Sequence, residues 1–180
     1  MKIKIFENKR IIIRKISKGD LRNAKEFQDF INSLIEEEAK IMMNKRLSLK
    51  EEKKFLEETL REIKNRKKVF LFAECNNKII GITGIELDRW RKNHIGNFGI
   101  TIMDGYRRIG LGKYLMKEII KLAKKELKPK PKIIRLSVFP TNKPALGLYK
   151  KFGFKIVGKI PKQIQYKRKL IDEIIMTLGV

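Results

Sequence analysis

Near the middle of the chain stands the stretch DGYRRIGLGK, residues 104–113, which joins a predicted strand to a strongly amphipathic helix. Gly110 and Gly112 remove side chains where a phosphate group would have to approach backbone N–H groups. The helix that follows begins with unpaired N–H groups and with the positive end of its dipole. Arg107, Arg108 and Lys113 add positive charge. The stretch therefore predicts an anion site for phosphate, with a plain tight turn as the alternative.

The glycine spacing excludes two other phosphate-binding loops. The dinucleotide fingerprint needs a third small residue three positions after Gly112, where this chain has Leu115. A Walker loop ends in Gly-Lys followed by Ser or Thr, whereas Tyr114 follows Lys113 here. Neither a Rossmann-type nor a P-loop nucleotide site is indicated.

The amino-acid composition limits which classes of protein this chain can belong to. The 180 residues are 42% hydrophobic, which is enough for a buried core and fits one domain over residues 1–180. The formal charge of +24 indicates a polyanionic ligand or a macromolecular partner. Because the charge is spread along the whole chain, a Lys- and Ile-rich composition of the kind found in thermophiles is the alternative.

Cysteine and histidine usage argues against metal and disulfide chemistry. Cys75 and His94 are the only residues of their kinds, so an internal disulfide is excluded and a metal site is not expected. The first nine residues lack an apolar signal core, and no run of about 18 apolar residues occurs. We expect a cytoplasmic protein with no membrane partner.

The first part of the chain predicts strands followed by two helices. Residues 2–16 carry two β-branched runs around Asn8, which predicts a hairpin or one strand after a loose end. Asp20 is predicted to cap the first helix, and the capping box at residues 48–51 to begin the second. The second helix is expected to bury Leu49, Leu56, Leu60 and Ile63. Met42 and Met43, between the helices, are interpreted as core residues, with a border of an acceptor cleft as the alternative.

The rest of the chain predicts a sheet with two more helices. Residues 69–75 and 78–88 form a predicted hairpin around Asn76 and Asn77, and residues 95–103 form the next strand. Further strands are predicted at residues 133–139, 154–157 and 171–178, with basic loops at residues 89–93 and 159–169. The fold class is therefore α+β (α/β), a mixed, mostly antiparallel seven-stranded sheet flanked by about four helices.

Three separated motifs resemble the GCN5-related N-acetyltransferase (GNAT) superfamily. Residues 107–112 resemble its Arg/Gln-x-x-Gly-x-Gly/Ala loop, and residues 142–154 resemble its Asn-x-x-Ala-x-x-Leu-Tyr-x-x-x-Gly-Phe segment. The tail at residues 172–176 and the His94-Ile95-Gly96 stretch resemble the branch that acylates amines and amino acids. The resemblance implies transfer of an acetyl group from acetyl-CoA to a primary amine by direct attack in a ternary complex.

Carried over residue by residue, the resemblance implies two groups of site residues. The cofactor-binding residues are Ile100, Thr101, Ile102, Arg107, Arg108, Ile109, Gly110, Leu111, Gly112, Lys113 and Asn142. Tyr149 would lie beside the thioester sulfur and protonate the thiolate, with a core aromatic as the alternative. Tyr149 follows Asn142 by seven positions, so both lie on one helical face about 10 Å apart.

The general base is less clear from the sequence. Many relatives carry a glutamate where this chain has Asn97, and others carry one where it has Ser137. Both departures put a direct carboxylate base in doubt. Glu86 is the candidate catalytic base, working through a water chain, with a surface or paired carboxylate as the alternative.

Three classes of function remain open from the sequence. The first is an acetyltransferase for an amino acid or other small amine, and the second is one for protein lysines or N-termini. The third is a non-catalytic module that binds acyl-CoA or nucleic acid. An intact cofactor loop with Tyr149 argues for turnover, and the lack of interleaved aromatic and basic residues means that nucleic acid is not required. The sequence leaves a homodimer open.

Overall fold

The computed structural model describes all residues from 1 to 180, which form eight strands and four α-helices. The strands are β1 (Lys2–Phe6), β2 (Lys9–Lys15), β3 (Lys68–Cys75), β4 (Lys78–Leu87), β5 (Ile95–Ile102), β6 (Ile133–Val138), β7 (Lys155–Tyr166) and β8 (Lys169–Gly179). The helices are α1 (Ala24–Glu36), α2 (Leu49–Lys64), α3 (Leu111–Glu126) and α4 (Lys143–Lys151). Short 3₁₀ turns lie at Lys18–Asn23 and Trp90–Lys92.

All eight strands form one sheet in the order β1-β2-β3-β4-β5-β6-β8-β7. Every neighbouring pair is antiparallel except β5 and β6, which are parallel. This confirms the mixed, mostly antiparallel α/β architecture. The prediction of seven strands was one too few, because Glu7 and Asn8 adopt φ of 43° and 65° and turn residues 2–15 into a hairpin of two strands.

The helices cover both faces of the sheet. On one face, α3 and α4 bury Met116, Ile119 and Tyr149 against Leu136 and Met176. On the other face, α1 and α2 bury a phenylalanine-rich hydrophobic cluster that contains Phe27, Phe30, Leu56, Phe70 and Phe72. Since β-strand side chains alternate, neighbouring residues of β3 such as Val69 and Phe70 belong to opposite clusters.

Several local predictions hold because they depend on short-range geometry. Ser48 and Glu51 form the predicted capping box at the start of α2. Asn76 and Asn77 turn the β3–β4 hairpin with φ of 50° and 61°. Asn142 caps α4 by accepting the N–H of Ala145 at 3.4 Å.

Other local predictions were wrong, because burial and pairing depend on how distant elements pack together. Asp20 is not the cap of α1: it is buried, and its carboxylate accepts hydrogen bonds from Arg14 at 2.7 and 2.9 Å. Leu49, Met42 and Met43 are 37%, 54% and 40% exposed, so none of them belongs to the core. Residues 159–169 are mostly strand rather than loop, because β7 pairs with β8 as far as Tyr166.

The feature that creates an opening is a split between β5 and β6. Their parallel pairing covers only Ile95, Gly96 and Asn97 against Ile133, Ile134 and Arg135. Beyond Asn97, β5 pairs only with β4, whereas β6 continues beside β8 as far as Val138. The two strands therefore diverge toward the residue 104–113 stretch, and one edge of β5 is left without a strand partner.

None of the helices combines the length and the apolar character needed to span a bilayer.

Candidate active site

The residue 104–113 stretch forms a loop at the open end of the split. None of the backbone N–H groups from Arg107 to Lys113 donates a hydrogen bond to a protein acceptor; the nearest donors that do are those of Tyr106 and Tyr114. Gly110 precedes the first residue of α3 with φ of 92°, a conformation that favours glycine. The loop therefore presents a run of free donors at a helix N-terminus, which is the arrangement that binds anionic oxygens.

Close packing explains the second glycine of the loop. A Cβ atom on Gly112 would lie 3.3 Å from Ile102 Cδ1 and 3.5 Å from Leu148 Cδ2. Leu111 is fully buried beneath the loop and Ile109 is partly buried, so both anchor it to the core. A side chain at position 112 would have to displace its neighbours.

The basic side chains of the loop are not equivalent. Arg107 Nε donates to the backbone oxygen of Ile102 at 2.7 Å, and its guanidinium forms an ion pair with Glu37, from the segment between α1 and α2. Arg108 and Lys113 are exposed and form no ion pair. Arg108 and Lys113 are thus the free cations of the loop, while Arg107 ties it to the α1–α2 segment.

The backbone N–H and C=O groups of β5 point alternately toward β4 and toward the split. Asp88 N–H donates to Ile95 at 2.9 Å and Met103 N–H to Ile80 at 2.9 Å, so the odd-numbered residues of β5 exchange hydrogen bonds with β4. The backbone groups of Thr101 are therefore occupied by β4. The N–H and C=O groups of Ile100 and the N–H of Ile102 point into the split, where an extended ligand chain could pair with them. The Ile102 oxygen already accepts from Arg107 Nε.

Tyr149 lies on the α3–α4 face at the beginning of the split. Its ring packs edge-on against Phe98, the first β5 residue beyond the pairing with β6, and also contacts Phe154. Burial raises the pKa of its phenol to about 12. The hydroxyl has no hydrogen-bond partner, yet it is not among the fully enclosed polar atoms that lack one. The phenol is therefore a protonated group whose oxygen borders open space.

A groove of about 610 Å³ runs along the opposite face of β4 and β5. Its floor includes Phe70, Ile82 and Gly99, and an added Cβ on Gly99 would meet no atom within 4 Å. Its polar lining consists of Lys68, Thr83, Glu86, Asp88, Arg89, Asn97 and Thr101. The groove and Tyr149 thus approach the split from opposite faces of the sheet.

The predicted base Glu86 lines this groove but is not free. Its carboxylate lies 3.0 Å from Lys68 Nζ, in an ion pair whose glutamate is 45% exposed. Asn97 donates to Asp88 at 2.9 Å and accepts from Arg135 at 2.8 Å. Asp88 in turn lies 3.1 Å from Arg135. Asn97 therefore acts as a structural link between two charged neighbours.

One carboxylate near the split escaped the sequence analysis. The hydroxyl of Ser137 on β6 donates a hydrogen bond to Glu173 on β8. The family resemblance implies a glutamate at the Ser137 position in some members, and this chain places a carboxylate beside that position from the adjacent strand. The sequence contains Glu173 only as part of a tail motif, and no local signal gives the β6–β8 register.

Comparison with known proteins agrees with this arrangement. The model of the Acetyltransferase (GNAT) family matches residues 31–154. The chain is 31% identical over 103 residues to the L-amino acid N-acetyltransferase AaaT of Escherichia coli (strain K12), covering 57% of this chain and 62% of that protein. It is 28% identical over 107 residues to the N-alpha-acetyltransferase of Sulfurisphaera tokodaii, covering 53% of this chain and 61% of that protein.

The alignments thus span less than two thirds of the length of these two relatives. A solved structure, the acetyltransferase of the GNAT family from Streptococcus pneumoniae, is 29% identical and superposes with a TM-score of 0.82, covering 94% of this chain and 99% of that one. The matched residues include the loop before α3, the split between β5 and β6, and α4 with Tyr149. The chain belongs to the acetyltransferase (GNAT) family.

Proposed function

We propose that residues 1–180 form one acetyl-CoA-dependent N-acetyltransferase domain that acetylates a primary amine by direct attack in a ternary complex. The observation that carries the proposal is the split between β5 and β6, which opens at one end onto the unpartnered N–H groups of residues 107–113. A ligand that is extended in the middle and doubly anionic at one end matches these two features.

The residues of this site fit acetyl-CoA as the acetyl donor. The N–H groups of the loop, with Arg108 and Lys113, would hold the pyrophosphate. Both backbone groups of Ile100 and the N–H of Ile102 would pair with the amides of the pantetheine arm. Acetyl-CoA supplies an activated acetyl thioester, and the arm would direct that group into the split beside Tyr149. Asn142 contributes by capping α4, which carries Tyr149.

The reaction then requires two proton transfers, which residues of this chain would assist. An alkyl ammonium with a pKa near 10 must lose a proton before the amine can attack, and the departing thiolate must gain one. Tyr149 suits the second role, because a phenol with a pKa of about 12 remains protonated at neutral pH and can donate a hydrogen bond to the sulfur.

We infer that the acceptor is an amino acid or another small amine. The groove lies on the face opposite Tyr149, and Arg89 at its rim could bind a carboxylate beside the reacting amine. The relative AaaT acetylates L-amino acids according to its name. The second candidate is acetylation of a protein lysine or N-terminus, which is favoured by the N-alpha-acetyltransferase relative. A module that binds acyl-CoA without turnover is the least supported, because it would not need Tyr149.

The test is release of free CoA thiol from acetyl-CoA in the presence of separate acceptors: free amino acids, polyamines, short peptides with free N-termini, and basic proteins. Turnover with an amino acid, and an N-acetyl product of the expected mass, would support the first candidate. Turnover with peptides or proteins alone would support the second. Binding of CoA without turnover on any amine would contradict the enzymatic proposal.

The groove can be tested separately by filling it. Gly99→Val places a β-branched side chain in open space on a strand, so the fold should tolerate it. We expect KM for the acceptor to rise on the order of tenfold, with affinity for CoA unchanged. Gly179→Val is the matched control, because Gly179 is also a strand glycine with open space around it, at the far end of β8. Equal effects of the two variants on KM would exclude the groove as the acceptor site.

A further inference from the structure

We propose that Glu173 is the general base that accepts the proton of the acceptor ammonium. The proposal rests on the acetyltransferase function proposed above and names the group that neither Asn97 nor Ser137 supplies. Glu173 lies on β8, two residues before Ile175, and Ile175 pairs with Ser137 of β6. Because strand side chains alternate, Glu173 and Ser137 are on the same face of the sheet, and the Ser137 hydroxyl donates to the Glu173 carboxylate.

The position of this pair relative to the split is what points to catalysis. The last residues that pair β5 with β6 are Asn97 and Arg135, and Ser137 is the next β6 residue on the face of Asn97. Phe98, the first β5 residue past the pairing, faces the other way and packs against Tyr149. The split thus has a phenol on one side of the sheet and a carboxylate on the other. A thioester held in the split would lie between a proton donor and a proton acceptor.

Charge distinguishes Glu173 from the other carboxylates near the split. Glu86 lies 3.0 Å from Lys68, and Asp88 lies 3.1 Å from Arg135. A nearby cation stabilises a carboxylate in its ionised form and weakens it as a base. Glu173 is half-buried and has no Lys or Arg within ion-pair distance, although the chain carries a formal charge of +24. Its only side-chain partner is the Ser137 hydroxyl, which orients one carboxylate oxygen and leaves the other free.

Glu173 and Tyr149 together account for every proton that moves in the reaction. The ammonium transfers one proton to Glu173, directly or through one water, and becomes a neutral amine. The amine nitrogen attacks the thioester carbonyl carbon, the C–N bond forms and the C–S bond breaks. The nitrogen then loses a second proton, and the sulfur gains one. The Tyr149 phenol donates its proton to the sulfur and takes up the proton that the nitrogen releases. The products are an N-acetyl amine and CoA thiol, and Glu173 returns its proton to water.

The test uses Glu173→Gln, which keeps the size of the side chain and its ability to accept from Ser137 but cannot take up a proton. At pH 7 we expect kcat/KM to fall on the order of 10²-fold, as for loss of a general base. The deficit should shrink as the pH rises toward 10, because the amine then loses its proton without assistance. Glu173→Asp should restore part of the rate, while CoA affinity and the melting temperature stay at wild-type values.

Asp172→Asn is the matched control, because Asp172 is the neighbouring carboxylate on β8 and its side chain is paired with Lys159 at 2.8 Å. It should leave the pH profile unchanged. The proposal is overturned if Glu173→Gln keeps the wild-type profile, or if Glu86→Gln alone shows the deficit that shrinks at high pH. A loss that follows a lowered melting temperature and is equal at every pH would also overturn it, since it would assign Glu173 a structural role. Failure of the acetyltransferase function itself would be seen differently, as absence of CoA release by the wild-type protein.

Discussion

At the scale of single residues, the environment of Tyr149 determines what its phenol can do. Phe98 and Phe154 surround the ring and exclude water from most of it, and burial raises the pKa to about 12. The phenol is therefore a weak acid, which suits the role proposed for it as a hydrogen-bond donor to the departing thiolate. The absence of a partner for its hydroxyl means that this donor is not used by the fold.

Tyr149→Phe tests that role. The variant removes one oxygen and no hydrogen bond, so the melting temperature and CoA affinity should be preserved. The maximal rate should fall by about 10²-fold if the phenol protonates the thiolate. Because the phenol does not titrate between pH 6 and about 10, the pH profile of the variant should keep its shape while its plateau drops. An unchanged rate at every pH would show that Tyr149 is only a core aromatic.

Glu52 shows the cost of a buried charge elsewhere in the fold. It is 1% exposed on α2, its Oε2 has no hydrogen-bond partner, and burial raises the pKa of its carboxyl to about 7. The folded state therefore binds this proton more tightly than the unfolded chain, where a glutamate titrates near 4.3. The stabilising effect of protonation is present at low pH and is lost as the pH rises through about 7.

Glu52→Gln should therefore change the pH dependence of stability. Between pH 5 and pH 8 the free energy of unfolding of the wild-type protein should decrease, through this group, by on the order of 2 kcal/mol. The variant should lack that part of the decrease when urea denaturation is compared at the two pH values. Glu57→Gln, on an exposed position of the same helix, is the control and should follow the wild-type protein. Parallel curves for all three proteins would mean that Glu52 does not titrate in this range.

At the scale of elements, the loop before α3 combines backbone geometry with close packing. Gly110 supplies a positive φ, and a Cβ at Gly112 would make a tight contact with Ile102. The same loop is linked through Arg107 to Glu37 of the α1–α2 segment. That segment also contacts the β7–β8 hairpin, since Tyr166 donates to the Glu38 backbone oxygen at 2.9 Å. One segment thus bridges the loop and the hairpin on either side of the split.

Gly112→Asp tests the anion site directly. The carboxylate would add a negative charge among donors that should meet pyrophosphate, and its Cβ would press on Ile102. We expect CoA binding, measured by calorimetry, to weaken by at least about a hundredfold, as for an unpaired like charge in an electrostatic site. Gly112→Ala separates the two causes, because it keeps the crowding without the charge. Wild-type affinity in Gly112→Asp would falsify the assignment of the loop.

At the scale of the whole molecule, the charge of +24 affects encounter with ligands more than it affects the fold. Three consecutive glutamates at the end of α1 and just after it are already paired with basic side chains. Glu36 pairs with Arg46 at 2.7 Å, Glu37 with Arg107, and Glu38 with Lys167. Arg89 lies at the rim of the groove. The surface around the proposed acceptor site therefore favours anionic over polycationic acceptors.

The corresponding prediction compares an amino acid with its amide. At low salt, kcat/KM should be higher for the amino acid, because its carboxylate is attracted to the basic rim, and spermidine should be a poor acceptor. The preference should shrink as ionic strength passes about 0.15 M, where the Debye length is about 8 Å. The measurement is steady-state kinetics at two salt concentrations. A preference for the amide or for spermidine would remove the charge argument and favour a protein acceptor selected by shape.

The local features of this protein were determined by its sequence alone. The glycine loop before α3, the capping box at Ser48, the turn at Asn76 and the cap at Asn142 all follow from preferences of a few consecutive residues. The family also follows from the sequence, because its motifs are short and lie on these local features. The prediction failed for residues 159–169, where lysines indicated a loop and cross-strand pairing with β8 produced a strand.

The chemistry near the split was decided only by the tertiary structure. Glu173 is hydrogen-bonded to Ser137, which lies 36 positions away in the sequence, and Arg107 is hydrogen-bonded to Glu37, 70 positions away. Arg135 is hydrogen-bonded to Asn97, 38 positions away. The two strand pairs depend on the register of the sheet and on where β5 leaves β6, since a shift of one residue in register would turn a strand side chain to the opposite face. The Arg107–Glu37 pair depends on how the loop before α3 packs against the segment that follows α1. The sequence determined which groups could bind an anion or move a proton, and the sheet determined which of them meet, because register is set by packing over the whole molecule.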